Sequence, residues 1–148
     1  MLRGSGHLSD SVAGVNYSIS LDEGYLYREL LSIAFELADR DDPRSAVLCL
    51  KGMSDDCARI FLSCLSDAEF FTDYKPLLKL AQNYLKSANK QLAQSAAAFL
   101  CFCCGEDGKK RIKSVLKGSE VTHKELVKGM VTTIKEGLEW EDERKQGV

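Results

Sequence analysis

An all-α domain of about seven helices is the fold that this 148-residue chain predicts. Three observations carry the prediction. Apolar residues recur at the 3.6-residue period of amphipathic helices in nearly every segment after Ser20. Capping residues stand where those segments begin, so local and periodic signals agree. Across the same region no run carries a strong strand signal. The most telling segment is Leu92-Ala93-Gln94-Ser95-Ala96-Ala97-Ala98-Phe99-Leu100, continuing into Cys101-Phe102-Cys103-Cys104. A helix with almost no polar face must be covered on several sides. Its Ala and Ser residues also let neighbouring backbones come close.

The elements follow in order. Residues 1–20 are rich in Gly and Ser and lack a helical period, which predicts a flexible N-terminal arm rather than a short strand over Val12 to Ile19. A single all-helical domain is expected over 21–140, followed by a charged C-terminal tail, 141–148. Ser20-Leu21-Asp22-Glu23 has capping-box form and opens a helix of about 16 residues, with Leu26, Leu30, Ile33 and Leu37 in one stripe. Asp42 then caps a second helix that has Pro43 in its first turn, where a missing N–H costs nothing, and that ends at Gly52. Ser54 caps a third, through Cys57, Ile60, Phe61, Cys64 and Leu65, and Ser66 offers a further cap for a short turn ending near Phe71. Pro76 opens the fourth and Asn89 the fifth, which Gly105 closes. The sixth is expected over about Gly108 to Lys117, with Gly105-Glu106-Asp107-Gly108-Lys109-Lys110 as the turn before it. Thr122-His123-Lys124-Glu125 is a second capping box, opening a seventh helix through Val127, Met130, Val131, Ile134 and Leu138. Trp140 reads as a cap on the core at the end of that helix.

The composition is that of one globular domain. Its apolar share of 45% and charged share of 28% argue against disorder. No apolar run nears the ~20 residues that span a bilayer, and Met1 to Ser20 lacks a signal-peptide core, so a cytoplasmic site is expected. The six cysteines fall within helical apolar patterns, as a reduced set of small hydrophobes would. Cys101-x-Cys103-Cys104 lacks zinc-ligand spacing and only His7 and His123 supply imidazoles, so neither metal nor cofactor is expected. The net charge of −2 conceals an asymmetry: residues 1–75 hold 13 acids against 7 bases, and residues 76–148 hold 9 against 13. Such asymmetry concerns partners, not fold.

Leu37-Ala38-Asp39, then Asp42-Pro43-Arg44-Ser45-Ala46-Val47-Leu48 and Gly52, resembles the inter-helix turn and second helix of a HEAT-like repeat. Leu92 to Ala98 with Leu100 is similar to the same helix in a later copy, about 50 residues on. The resemblance covers residues 22–117 loosely, and the later copy has no Asp-Pro turn. It implies helical hairpins stacked as a fragment of a right-handed α-solenoid. It also implies a protein binder first, with nucleic-acid binders and a few enzymes, DNA glycosylases among them, in the minority. Some small all-helical bacterial proteins are immunity proteins that neutralise a toxin, a role that would suit a chain of this size by analogy of fold alone.

Catalytic constellations are not expected. Nothing such as Gly-x-Ser-x-Gly places a nucleophile, and His123 reads as a solvent-facing first-turn residue. Two charged sets remain as binding candidates. Asp41, Asp42, Asp55 and Asp56 each sit at a helix start, where the macrodipole favours anions. They would form an acidic patch if they shared one rim. Lys109, Lys113 and Lys117 repeat at i, i+4 and i+8, and Lys124 and Lys128 continue on the next helix. That stripe suits a solvated or protein-contacting face. Nucleic acid is the weaker reading, because no aromatic residues interleave and the pI is about 5.7. The expected function is therefore a non-enzymatic protein-binding module, such as an immunity protein. A HEAT-like nucleic-acid binder or glycosylase-type enzyme, and an adaptor subunit, are the alternatives.

Overall fold

A computed structural model describes residues 21–118 and 120–146, with the side chains of 23–118 and 120–135. The expected N-terminal arm, the Ser20 cap and the side chains of Trp140 and of the C-terminal tail lie outside these. Among the described residues there are seven helices and no strand: α1 (Leu21–Arg40), α2 (Pro43–Lys51), α3 (Asp55–Asp67), α4 (Lys75–Tyr84), α5 (Lys90–Cys103), α6 (Gly105–Leu116) and α7 (Lys124–Gln146). The chain is all-α. No helix among the described residues is long and apolar enough to cross a membrane.

Alternate helices pack together. α1, α3, α5 and α7 contact one another in succession, as do α2, α4 and α6, so the helices form two layers. Within a layer the helices run parallel: Arg59 near the start of α3 bonds Glu23 near the start of α1 at 2.7 Å. The contact of α3 with α5 is close because small residues line it, and the Ser63 and Ser95 hydroxyls lie 3.4 Å apart. α5 touches α3, α4, α6 and α7. Accordingly Leu92, Ala93, Ala96, Ala97, Phe99 and Leu100 are buried, as an apolar surface all round requires.

The caps explain where the helices begin. Asp42 accepts from the Ser45 N–H at 3.1 Å, Ser54 from Cys57 at 3.2 Å and Asn89 from Leu92 at 3.0 Å. Each satisfies a donor that the first helical turn leaves without an intrahelical partner.

The ends of α1, α3 and α5 share a feature that their sequences hide. Asp41, Glu69 and Gly105, just past the ends of α1, α3 and α5, have φ of 52°, 55° and 59°. After α1 the Asp41 N–H bonds Ala38 and the Asp42 N–H bonds Leu37; after α3 Glu69 bonds Ser66 and Phe70 bonds Leu65. Both are Schellman endings, which return orphan carbonyls to partners.

Several expectations require correction. Ser66 caps nothing: its hydroxyl donates to the Leu62 carbonyl at 3.2 Å, and α3 runs on to Asp67. The residues after it form a loop fastened by the Thr72 N–H to the Cys103 carbonyl at 2.8 Å. Helix α1 has 20 residues rather than about 16. The segment Gly105 to Lys110 is the first half of α6 rather than a turn. Gly105 reverses the chain within one residue of α5, which leaves no room for a longer link. Finally, α2 and α5, paired in sequence as copies of one repeat position, fall in different layers. The structure pairs α1 with α3 and α5, and α2 with α4 and α6.

Candidate functional site

The four acidic candidates do not come together. Asp41 and Asp42 stand at the α1–α2 turn, and Asp55 and Asp56 open α3. Between them runs the whole of α2, nine residues and therefore about 13 Å long. Each pair is occupied locally. Asp42 accepts from both the N–H and the hydroxyl of Ser45, which holds its carboxyl below the usual carboxylate range. Asp56 faces the Arg59 guanidinium at 3.5 Å. These acids shape helix ends and form no common patch.

The basic stripe divides as well. Lys124 donates to the Gly118 carbonyl at 3.2 Å, and Lys128 lies 3.8 Å from Glu125. Lys117 is the C-cap of α6. Lys109 and Lys113 instead line a groove between α6 and α7 together with Lys110, Lys135 and Glu106. Cys101, Val131 and Ile134 line its apolar side, and its volume is about 230 Å³. Glu106, Lys109, Lys110 and Lys113 share one face of α6 at i, i+3, i+4 and i+7. Lys109 lies 3.7 Å from Glu106, an exposed pair of small energetic value. Among the described residues Lys110, Lys113 and Lys135 have no carboxylate within ion-pair distance.

Reading the sequence missed Lys110 and Lys135. Lys110 falls in the segment taken as a turn, so its place on a helix face was hidden. Lys135 continues the α7 series seven residues past Lys128, and its spacing could have found it.

Other hollows are less suited to a ligand. Glu23, Gly24, Tyr27, Arg59, Ile60 and Ser63 line a groove of about 300 Å³ between α1 and α3. Its charges are already matched: Arg59 bonds Glu23, and the Tyr27 hydroxyl donates to Asp67. That hydrogen bond, reinforced by burial, pushes the Tyr27 phenol up to about 12. A hollow of about 450 Å³ over Leu126, Gly129, Met130 and Thr133 is walled by α7 alone. Between α4 and α6, Lys75 meets Asp107 at 3.7 Å and Arg111 donates to Gln82 at 2.8 Å.

His123 is not the solvent-facing residue that its position suggests. It is half-buried, and its Nε2 lies 2.8 Å from the Ala88 carbonyl, tying the start of α7 to the α4–α5 link. Cys64, Cys101, Cys103 and Cys104 are buried. Burial pushes the Cys64 thiol up to about 12 and Cys103 up to about 11, away from the reactive thiolate. Cys101 is raised by burial too, with Lys109 acting the other way, as an ammonium beside the groove floor would. Among the described residues no three His, Cys, Asp or Glu side chains are grouped to hold a metal ion.

The chain matches no family model, no curated protein and no solved structure. The α6–α7 groove offers ammonium groups around an apolar floor, and that combination suits the binding of carboxylates attached to something apolar.

Proposed function

We propose that this chain is a non-enzymatic protein-binding module, a HEAT-like stack of helical hairpins that grips an acidic partner at the α6–α7 groove. The observation carrying the reading is the convergence of four lysines from two helices on one groove, while the two aspartate pairs stand at opposite ends of α2. The stacking of alternate helices in two layers supports the repeat scaffold, as do the shared left-handed endings of α1, α3 and α5. The repeat unit is then one odd-numbered helix with the even-numbered helix after it. Immunity against a toxin is the specific version of this role that a small cytoplasmic helical protein suits.

Retention of partners from cells of the native host tests the reading. The wild-type chain should retain proteins that a Lys109→Glu, Lys113→Glu, Lys135→Glu variant loses. Their association should slow as salt rises, because charge steers the encounter. An identical retained set for both chains would refute the proposal. For the immunity version, co-expression of the chain should relieve the toxicity of the retained partner.

A further inference from the structure

The geometry points to an acidic peptide segment as the occupant of the α6–α7 groove, anchored by one apolar side chain between α6 and α7 and flanked by carboxylates. The inference rests on the binding-module reading and adds to it the chemistry of what is bound.

Size is the first argument. Small-molecule and cofactor pockets run to about 300–1,000 Å³, and this groove holds about 230 Å³. That volume suits a single large side chain, the anchor that protein interfaces place in a desolvated pocket. The floor is apolar where such an anchor would sit, with Cys101 from α5 and Val131 and Ile134 from α7.

Charge is the second. Among the described residues, four ammonium groups surround the floor against one carboxylate, Glu106, which already faces Lys109. Lys110, Lys113 and Lys135 make up the cationic surplus.

Reach is the third. From Glu106 to Lys113 the groove follows seven residues of helix, about 10 Å. A segment with its apolar residue in the middle needs acids only a few ångströms to either side, within reach of flexible lysine stems. Nucleic acid fits less well, since the described lining has no aromatic ring for a base to stack on.

Fluorescence anisotropy on the intact chain tests this directly. The probe is a fluorescein-labelled nonapeptide with one central leucine and three acidic residues on each side. Replacing its leucine by serine should weaken binding about tenfold or more, the worth of one buried aliphatic side chain. Lys113→Glu and Lys135→Glu should each weaken it severalfold, and less so at high salt, whereas Lys79→Glu on α4 should leave it unchanged. Equal binding of the leucine and serine peptides, unchanged binding by the groove variants, or tighter binding of a labelled single-stranded oligonucleotide would each overturn the inference. The two readings fail separately. If the peptide does not bind but charge reversal still releases the cellular partner, the occupant is wrong and the module stands. A partner set indifferent to charge reversal removes the module itself.

Discussion

Among the described glycines, Gly108 is the one at which an added Cβ would meet its neighbours most closely. A Cβ there would lie 2.1 Å from the Leu100 carbonyl oxygen and 2.7 Å from the Cys104 Cβ. Backbone cannot retreat as a side-chain tip can, so α5 and α6 would have to part. Gly108→Ala should destabilise the fold by about 3 kcal/mol, at the upper end of overpacking costs, and urea unfolding would measure it. Glu69 presents the opposite case. It holds φ 55° past the end of α3, a conformation that disfavours side chains. Glu69→Gly should stabilise the chain by about 0.5–1 kcal/mol, read as a higher Tm. No change in Tm would mean that the Schellman ending carries no strain. Neither effect is legible in the sequence, because Gly108 resembles an ordinary turn glycine and Glu69 an ordinary surface acid. Caps differ in this respect: Asp42, Ser54 and Asn89 act on residues within three positions, so the local sequence contains the whole interaction.

At the scale of the element, α5 shows how far periodicity reaches. Its apolar composition announces burial on several sides, and α3, α4, α6 and α7 supply the cover. Yet Phe99 and Phe102, three residues apart on the same helix, differ: Phe99 is 0% exposed and Phe102 48%. Phe99→Ala should cost about 4 kcal/mol through lost burial and the cavity left behind. Phe102→Ser should stay within about 1 kcal/mol of wild type, as surface changes do. Chemical denaturation of the two variants checks the pair, and equal losses would refute the assigned packing. Pattern alone cannot separate them, since a helix apolar all round has no polar stripe to mark its outer side. The same ambiguity explains why α2 and α5 look alike as sequences but occupy different layers. Small residues and leucines at helical spacing report close packing, whichever layer supplies the neighbour.

Over the whole molecule, the four buried thiols couple stability to pH. Unfolded cysteine ionises near pH ~8.5, while folded Cys103 and Cys64 are held at about 11 and about 12. Between those values the folded chain binds more protons than the unfolded one, so stability falls as pH rises. It is fully present below about pH 8.5 and is lost progressively through pH 11–12. Tyr27, raised to about 12, adds to the loss above the ordinary tyrosine range. Thermal melts from pH 7 to 10.5 should show Tm falling above pH ~8.5. Titration with a thiol reagent at pH 8 should label Cys49 and Cys57 in the folded chain, and the other four only as it unfolds. Rapid labelling of all six would contradict the packed core.

The all-α class, most helix starts and the burial of α5 are written in the sequence, because caps and periodicity act within a few residues. It also contained the surplus of lysines in the second half of the chain. Tertiary packing selects which of those lysines meet. Lys109, Lys110 and Lys113 come from α6 and Lys135 from α7, and their convergence depends on how the two helices pack. It likewise separated the two aspartate pairs, because the length of α2 stands between them. Charge is a property of residues, whereas a site is a property of the distances that packing sets.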